Sequence, residues 1–314
     1  MITMKCRKCG KPSIYHQKHS GNNYCKECFI KETKRKVRKT LGRDVLKNNI
    51  KVAMGLSGGK DSLVMAYLLN EYYKQIPNSN LIAIMVNEGI EGYRTDGIDA
   101  AVKFCEEYGI EYKIVHFKDY LGTNLDEIVK IAKEKNLTMN PCSFCGVIRR
   151  KILNRVSIEE KCDFLAIGHN LDDVAQAVMM NYIEGDVKKL AFLGKSLKHP
   201  KFVKRIKPLE KIPEDEVLLL AEMLELKYHK SPCPYSCLSF RSEVSDITDN
   251  LEKNHPGSKY SIVRGYERLL EHIELPGYTG ECKICGDLSA TEVCKVCSYL
   301  KNLGILEKSK FEKI

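Results

Sequence analysis

Residues 55–63 read GLSGGKDSL. Glycines at 58 and 59 let consecutive backbone N–H groups turn toward an anion, and a helix starting near Ser62 adds its positive end. Lys60 can neutralise phosphate oxygens. Asp61 repels a bare phosphate, so a magnesium ion is expected between them. The spacing is not that of a Walker loop, which needs G-x-x-x-x-G-K followed by Ser or Thr. A plain tight βα turn does not call for Gly-Gly-Lys-Asp-Ser together.

Cysteine is the second chemical signal. The chain has fourteen, and five C-x-x-C pairs hold ten of them: Cys6/Cys9, Cys25/Cys28, Cys142/Cys145, Cys282/Cys285 and Cys294/Cys297. The outer four pairs form C-x2-C-x15-C-x2-C and C-x2-C-x8-C-x2-C, the spacing of structural zinc modules. His16 and His19 are rival ligands in the first. The inner pair, in PCSFCG, is either half a zinc site or part of an iron–sulfur site, with Cys233 and Cys237 of SPCPYSC as further donors. Cys105 and Cys162 read as packed thiols, and His116 as structural.

These residues need elements to hold them. KVAMGL, LIAIMVNEGI, EYKIVHF and DFLAIGH read as strands. Helical periodicity marks SLVMAYLLNEYYKQI, DGIDAAVKFCEEYG, LDEIVKIAKEK, GVIRRKILNRVSIEEK after a CSFC turn, LDDVAQAVMMNYIEG and PEDEVLLLAEMLELKY. Alternating strands and helices imply α/β architecture, a doubly wound parallel sheet with ligands outside the carboxyl ends of its strands. GLSGGKDS, VNEGIEG and GHNLDD all fall at such ends. The expected organisation is 1–30 zinc module, 31–49 basic helical linker, 50–230 nucleotide domain, 231–278 SPCPY loop and helical segment, and 279–314 second zinc module.

The formal charge is +10. Basic residues cluster at 31–39, 148–155 and 194–207, which points to a polyanionic partner and away from an isolated solvated face. No segment has the length and apolarity of a membrane span, and the N-terminus lacks the apolar run of a signal peptide. Unpaired metal-type cysteines fit a reducing, cytoplasmic setting.

SGGKDS after a strand resembles the PP-loop of the N-type ATP pyrophosphatases, which cleave ATP between the α and β phosphates and place AMP on an oxygen. The resemblance assigns ATP to Gly55, Leu56, Ser57, Gly58, Gly59, Lys60, Asp61, Ser62, Val86, Asn87, Gly168, His169 and Asp173. Lys60, Asp61 and Asp173 take catalytic or magnesium-linked roles. PCSFCG with a later SPCPY resembles the tRNA 2-thiolation enzymes related to TtcA and TtuA. That family implies a 4Fe-4S cluster on Cys142, Cys145 and Cys233, with one iron left open for sulfur. Cys237 is a fourth ligand, a relay or a bystander. Arg149 stands where some relatives carry a lysine, which implies charge stabilisation or RNA contact.

Zinc modules at both ends point to the group of TtuA and the cytosolic wobble-uridine thiolases. The resemblance thus implies ATP-dependent 2-thiolation of a tRNA uridine, with the wobble position favoured. Its cofactors are ATP, Mg2+, a 4Fe-4S cluster and two Zn2+. Its partners are tRNA, a sulfur donor (free sulfide, a persulfide or a thiocarboxylated ubiquitin-like carrier) and a second copy in a homodimer. Candidate RNA contacts are Lys34, Arg35, Lys36, Arg38, Arg149, Arg150, Lys204 and Arg205. The rivals are another PP-loop adenylating enzyme with three structural zinc sites, and a non-catalytic zinc RNA-binding protein.

Overall fold

The computed structural model describes residues 4–137, 140–193, 199–236, 240–273 and 280–311. Cys237 lies outside them. The chain opens with a hairpin of β1 (Tyr15–Gln17) and β2 (Asn22–Tyr24), then α1 (Lys26–Val45). The α/β alternation follows as β3 (Lys51–Gly55), α2 (Lys60–Tyr73), β4 (Asn80–Asn87), α3 (Arg94–Tyr108) and β5 (Glu111–His116). After α4 (Phe117–Leu121), α5 (Leu125–Glu134) and α6 (Pro141–Glu159) come β6 (Phe164–Ile167), α7 (Leu171–Ile183), α8 (Val187–Leu193), β7 (Lys204–Ile206) and α9 (Glu214–Met223). The C-terminal third holds α10 (Phe240–Asn254), α11 (Ser258–Leu270), the small pair β8 (Gly280–Glu281) and β9 (Leu288–Ser289), and α12 (Lys295–Leu303).

The five central strands form one parallel sheet in the order β5–β4–β3–β6–β7. Both faces are covered, and the strand residues alternate between two cores as a period of two demands. Val52, Met54, Ala83 and Met85 point into a core shared with α1, α2, α3 and α9. Ala53, Ile82, Ile84 and Val86 point into the opposite core, filled by Ile128 of α5, Ile148 and Ile152 of α6, and Leu300 of α12. The chain winds outward in one direction from β3 through β4 to β5, then returns to place β6 on the other side of β3. The crevice between β3 and β6 is the switch point where ligands bind in such sheets.

Three sequence expectations change. A fifth strand, β7, lies in the basic run that had been read only as an RNA patch. The CSFC segment is no turn: α6 starts at Pro141, with Asn140 as its cap accepting from Cys142 N at 2.9 Å. Proline at the first helical position needs no N–H partner, and Asn supplies the missing acceptor. And α10 begins at Phe240, inside the segment expected to be a loop.

Candidate active site

The PP-loop crosses from β3 to α2 in the switch-point crevice. Gly58 has φ +82°, and a Cβ there would meet the Gly97 carbonyl oxygen at 1.8 Å, so α3 packs directly on the loop backbone. Ser57 and Ser62 tie the turn: Ser57 N donates to Ser62 Oγ at 3.2 Å, and Ser62 Oγ donates to Gly59 O at 2.8 Å. Gly59 caps α2 with no side-chain bond, which leaves the helix N-terminus to an anion. Lys60 Nζ lies 3.1 Å from Asp61 and 2.6 Å from Glu214, the first residue of α9. Burial pulls the Lys60 pKa down, but these carboxylates outweigh it and hold the ammonium above its ordinary value.

The neighbouring loop comes from β6. A Cβ on Gly168 would press to 3.0 Å on Ser62 N, so only glycine lets the two loops touch this closely. Asn170 caps α7: it accepts from Asp173 N at 3.0 Å while Asp173 Oδ2 accepts from Asn170 N at 3.2 Å, a capping box. Asn170 Nδ2 also donates to Asp61 Oδ1 at 2.9 Å, which aims the PP-loop carboxylate. Asp172 is structural: it is buried, it pairs with Lys259 and it accepts from Glu214 N at 2.8 Å. Asp173 keeps Oδ1 toward the crevice, 3.4 Å from Arg241. Burial raises its pKa, and Arg241 only partly offsets that.

A cationic wall stands beside Asp173. Desolvation by the surrounding protein and the charges of Lys207, Arg241, Arg150 and Arg205 lower the His169 pKa, although the residue still reaches solvent, so the imidazole is neutral near pH 7. Lys207 falls in the basic run already noted. Arg241 was missed, because its segment reads as a loop. The other basic candidates differ. Lys34 pairs with Glu71, Arg35 with Glu32, and Lys36 with the buried Glu216. Arg38 and Lys204 are exposed. Val86 is buried and its carbonyl accepts from Arg94 Nε at 2.8 Å, so its side chain serves the core. Asn87 Oδ1 is engaged by Gly89 N at 2.8 Å. Leu56 is buried and Gly55 ends β3, so both serve the loop from beneath.

Cys142 and Cys145 occupy the first turns of α6. Cys145 is buried, whereas Cys142 and Cys233 are half-buried. Burial pushes the Cys145 thiol up to about 11, against the pull of Arg149. The segment 229–235 joins this site to the PP-loop. His229 N donates to Gly58 O at 2.9 Å, and Tyr235 O accepts from Cys142 Sγ at 3.1 Å. The six Cα–Cα steps of this seven-residue segment span at most about 20 Å, and Cys233 lies between these two anchors. Behind them, the buried Glu88 carboxylate sits 2.6 Å from Arg94 Nε and 2.6 Å from Arg149 Nε.

Cys6, Cys9, Cys25 and Cys28 bring their sulfurs within 4.8 Å of one another, as do Cys282, Cys285, Cys294 and Cys297. Around zinc with bonds of ~2.3 Å, tetrahedral sulfurs stand about 3.8 Å apart. Cys9 and Cys25 are at 3.6 Å and Cys285 and Cys294 at 3.7 Å, so both sets fit zinc. His16 instead bonds Asn23 at 2.8 Å, and His19 packs on Tyr260. Among the described residues, Cys142, Cys145 and Cys233 do not close into so tight a group. Three half-buried or buried thiols held apart, with a guanidinium against one, suit an inorganic cluster larger than one ion. Cys105 and Cys162 are buried, with thiols pushed up to about 12 and about 11, and serve packing. His116 caps α4.

Comparison with known proteins gives the following. Residues 30–242 match the PP-loop domain family, and residues 5–30 match the family described as 2-thiouridine synthetase TtuA, N-terminal LIM domain. A probable sulfurtransferase of Methanocaldococcus jannaschii is 49% identical over 94% of this chain and 87% of its own length. The tRNA 2-thiolation protein NcsA of Haloferax volcanii is 36% identical over 96% of this chain and 99% of its own. A solved structure, the U34-tRNA thiolase NcsA from Methanococcus maripaludis with its 4Fe-4S cluster, is 95% identical over 99% of this chain and 100% of that one, with a TM-score of 0.89.

Proposed function

This chain belongs to the PP-loop family and opens with the LIM domain of the TtuA-type 2-thiouridine synthetases, and from that premise we propose that it is an ATP-dependent tRNA uridine 2-sulfurtransferase acting at the wobble uridine. The observation that carries the proposal is the 229–235 segment, which anchors on Gly58 at one end and on Cys142 at the other and holds Cys233 between. A nucleotide loop and a three-cysteine site thus face one crevice. The relatives named for thiolation, one of them holding a 4Fe-4S cluster, support the same reading.

ATP phosphates take the α2 N-terminus and Lys60, displacing Glu214. Asp61, aimed by Asn170, would hold a magnesium ion, which would supply charge neutralisation for the phosphates. The carbon-2 oxygen of the uridine attacks the α-phosphate, and pyrophosphate leaves toward Lys60 and the loop N–H groups, which stabilise the developing charge. Asp173, whose proton affinity is raised by burial, accepts the proton that N3 loses once the oxygen carries AMP. Sulfur then bonds to carbon 2 and AMP departs, a far better leaving group than hydroxide. A cluster on Cys142, Cys145 and Cys233 would supply an iron with an open position for this sulfur chemistry. Arg150, Arg205, Lys207 and Arg241 hold the RNA backbone beside the unstacked base, and the paired Lys34, Arg35 and Lys36 contribute to the field. Two zinc modules fold the ends, the working form is a homodimer, and cysteines in metal-type spacing suit a reducing cytoplasm.

The test is metal and sulfide content of protein purified without oxygen, followed by ATP-dependent thiolation of tRNA. About four irons and two zincs per chain, with thiolation, are expected. Three zincs and no iron would leave an adenylating enzyme with a third structural site. Supplying sulfide, persulfide and a thiocarboxylated carrier in turn separates the sulfur donors, and light scattering reads the homodimer.

A further inference from the structure

Three segments distant in sequence meet at one carboxylate. Glu88 follows β4 and its side chain is only 3% exposed. On one side stands Arg94, at the start of α3, whose NH1 donates to Ser57 O in the PP-loop at 2.7 Å. On the other stands Arg149 of α6, whose NH2 donates to Cys145 Sγ at 3.0 Å. The Arg94 Nε hydrogen points at Val86 O, so Glu88 Oε2 meets Arg94 by charge alone and has no hydrogen bond of its own. A buried carboxylate with one structural arginine would already be neutralised. The second guanidinium is 44% exposed, and it reaches a cysteine sulfur.

Taking Cys145 as a cluster ligand, as proposed above, we infer that Glu88 is a positioning residue that ties the PP-loop to that ligand, holding Arg94 on the Ser57 carbonyl and Arg149 on the Cys145 sulfur. A donor to a ligand sulfur tunes an iron–sulfur centre, and the group that orients the donor sets how well it does so. Phosphates arriving at the PP-loop shift the charge balance that Arg94 feels. Glu88 passes that change to Arg149, because water cannot enter to screen a carboxylate this deep. By linkage, the state of the cluster changes ATP affinity in return.

The experiment uses holo protein with ATP and no tRNA. The midpoint potential of the cluster and its visible spectrum are read with and without nucleotide, beside ATP affinity. In the unmodified protein, ATP shifts the potential. In Glu88→Gln the shift disappears and ATP binds about tenfold more weakly, in the range seen when an outer-shell partner is lost, with iron retained. In Arg149→Gln, which keeps Glu88 on Arg94, the shift disappears while ATP affinity stays within about twofold. No ATP-induced shift in the unmodified holo protein, or a shift that survives in Arg149→Gln, overturns the inference. Should Glu88→Gln fail to fold, the Arg149→Gln outcome decides alone. Unmodified protein that carries no iron overturns the thiolase reading itself, a result distinct from iron present without coupling.

Discussion

The two four-cysteine modules and the three-cysteine site use one residue type for opposite ends. Each module gathers four sulfurs within 4.8 Å, short of room for anything but one ion. Each also joins a short β-pair to the start of a helix, with Cys25 capping α1 and Cys294 capping α12. The inner site has three cysteines on two segments, looser and partly open, and a guanidinium and a nucleotide loop stand beside it. Closure makes a thiolate structural. An open position beside charged, oriented partners makes it reactive.

That contrast predicts unequal responses to losing one sulfur. Cys233→Ala should lower tRNA thiolation by more than about 100-fold and lose iron, while both zincs and the cooperative melt remain. Full iron retention would transfer the ligand role to Cys237. Asp61→Ala tests the nucleotide side of the inner site alone: adenylation should fall about 10²–10³-fold with the cluster absorbance intact, and normal turnover would refute the assignment. Cys282→Ser should do the reverse. One zinc is lost and the melting temperature drops by several degrees or more, while iron content holds. A variant that melts normally would mean that the C-terminal module does not depend on metal. The smallest effect concerns docking of the N-terminal module. There Gln17 donates to Glu216 at 2.5 Å and Lys36 pairs with the same carboxylate at 3.2 Å. Lys36→Met should cost about 1–3 kcal/mol at pH 8. Burial already raises the Glu216 pKa, so its stability contribution is lost as pH rises through the folded value. Chemical denaturation at pH 5.5, where the carboxyl is closer to neutral, should therefore show a smaller penalty. An equal penalty at both pH values would mean that the ion pair is not what holds the module.

Much of this was legible in the sequence, for physical reasons. Gly-Gly-Lys-Asp-Ser between two apolar runs fixes both a turn and its ligand, and C-x-x-C spacing fixes a metal geometry locally. β3, β4 and β6 showed as apolar runs because both their faces are buried, whereas β5 showed through its β-branched and aromatic content despite lying mostly exposed at the sheet edge. β7 did not: Lys204–Ile206 is a three-residue edge strand with two basic side chains, the composition that protects an edge and hides a strand. The helical start at Pro141 carries its signal in Asn140-Pro141, a cap followed by a proline at the first helical position. Glu88, Arg94 and Arg149 could not have been joined from the sequence, since nothing in their local patterns marks a contact across sixty residues. Arg241 was hidden likewise by the early start of α10.

Helix α6 has a consequence for the phase of the molecule. Cys142 and Lys151 are nine residues apart, about two and a half helical turns, so they leave the rod on opposite sides. One side carries the inner cysteines. The other meets the C-terminal module, where Lys151 Nζ lies 3.0 Å from Cys285 Sγ. The helix is therefore keyed at both faces and cannot rotate to suit one without misaligning the other. Inserting a single residue between Cys145 and Lys151 would turn one face by about 100°, a change that no loop movement elsewhere could undo.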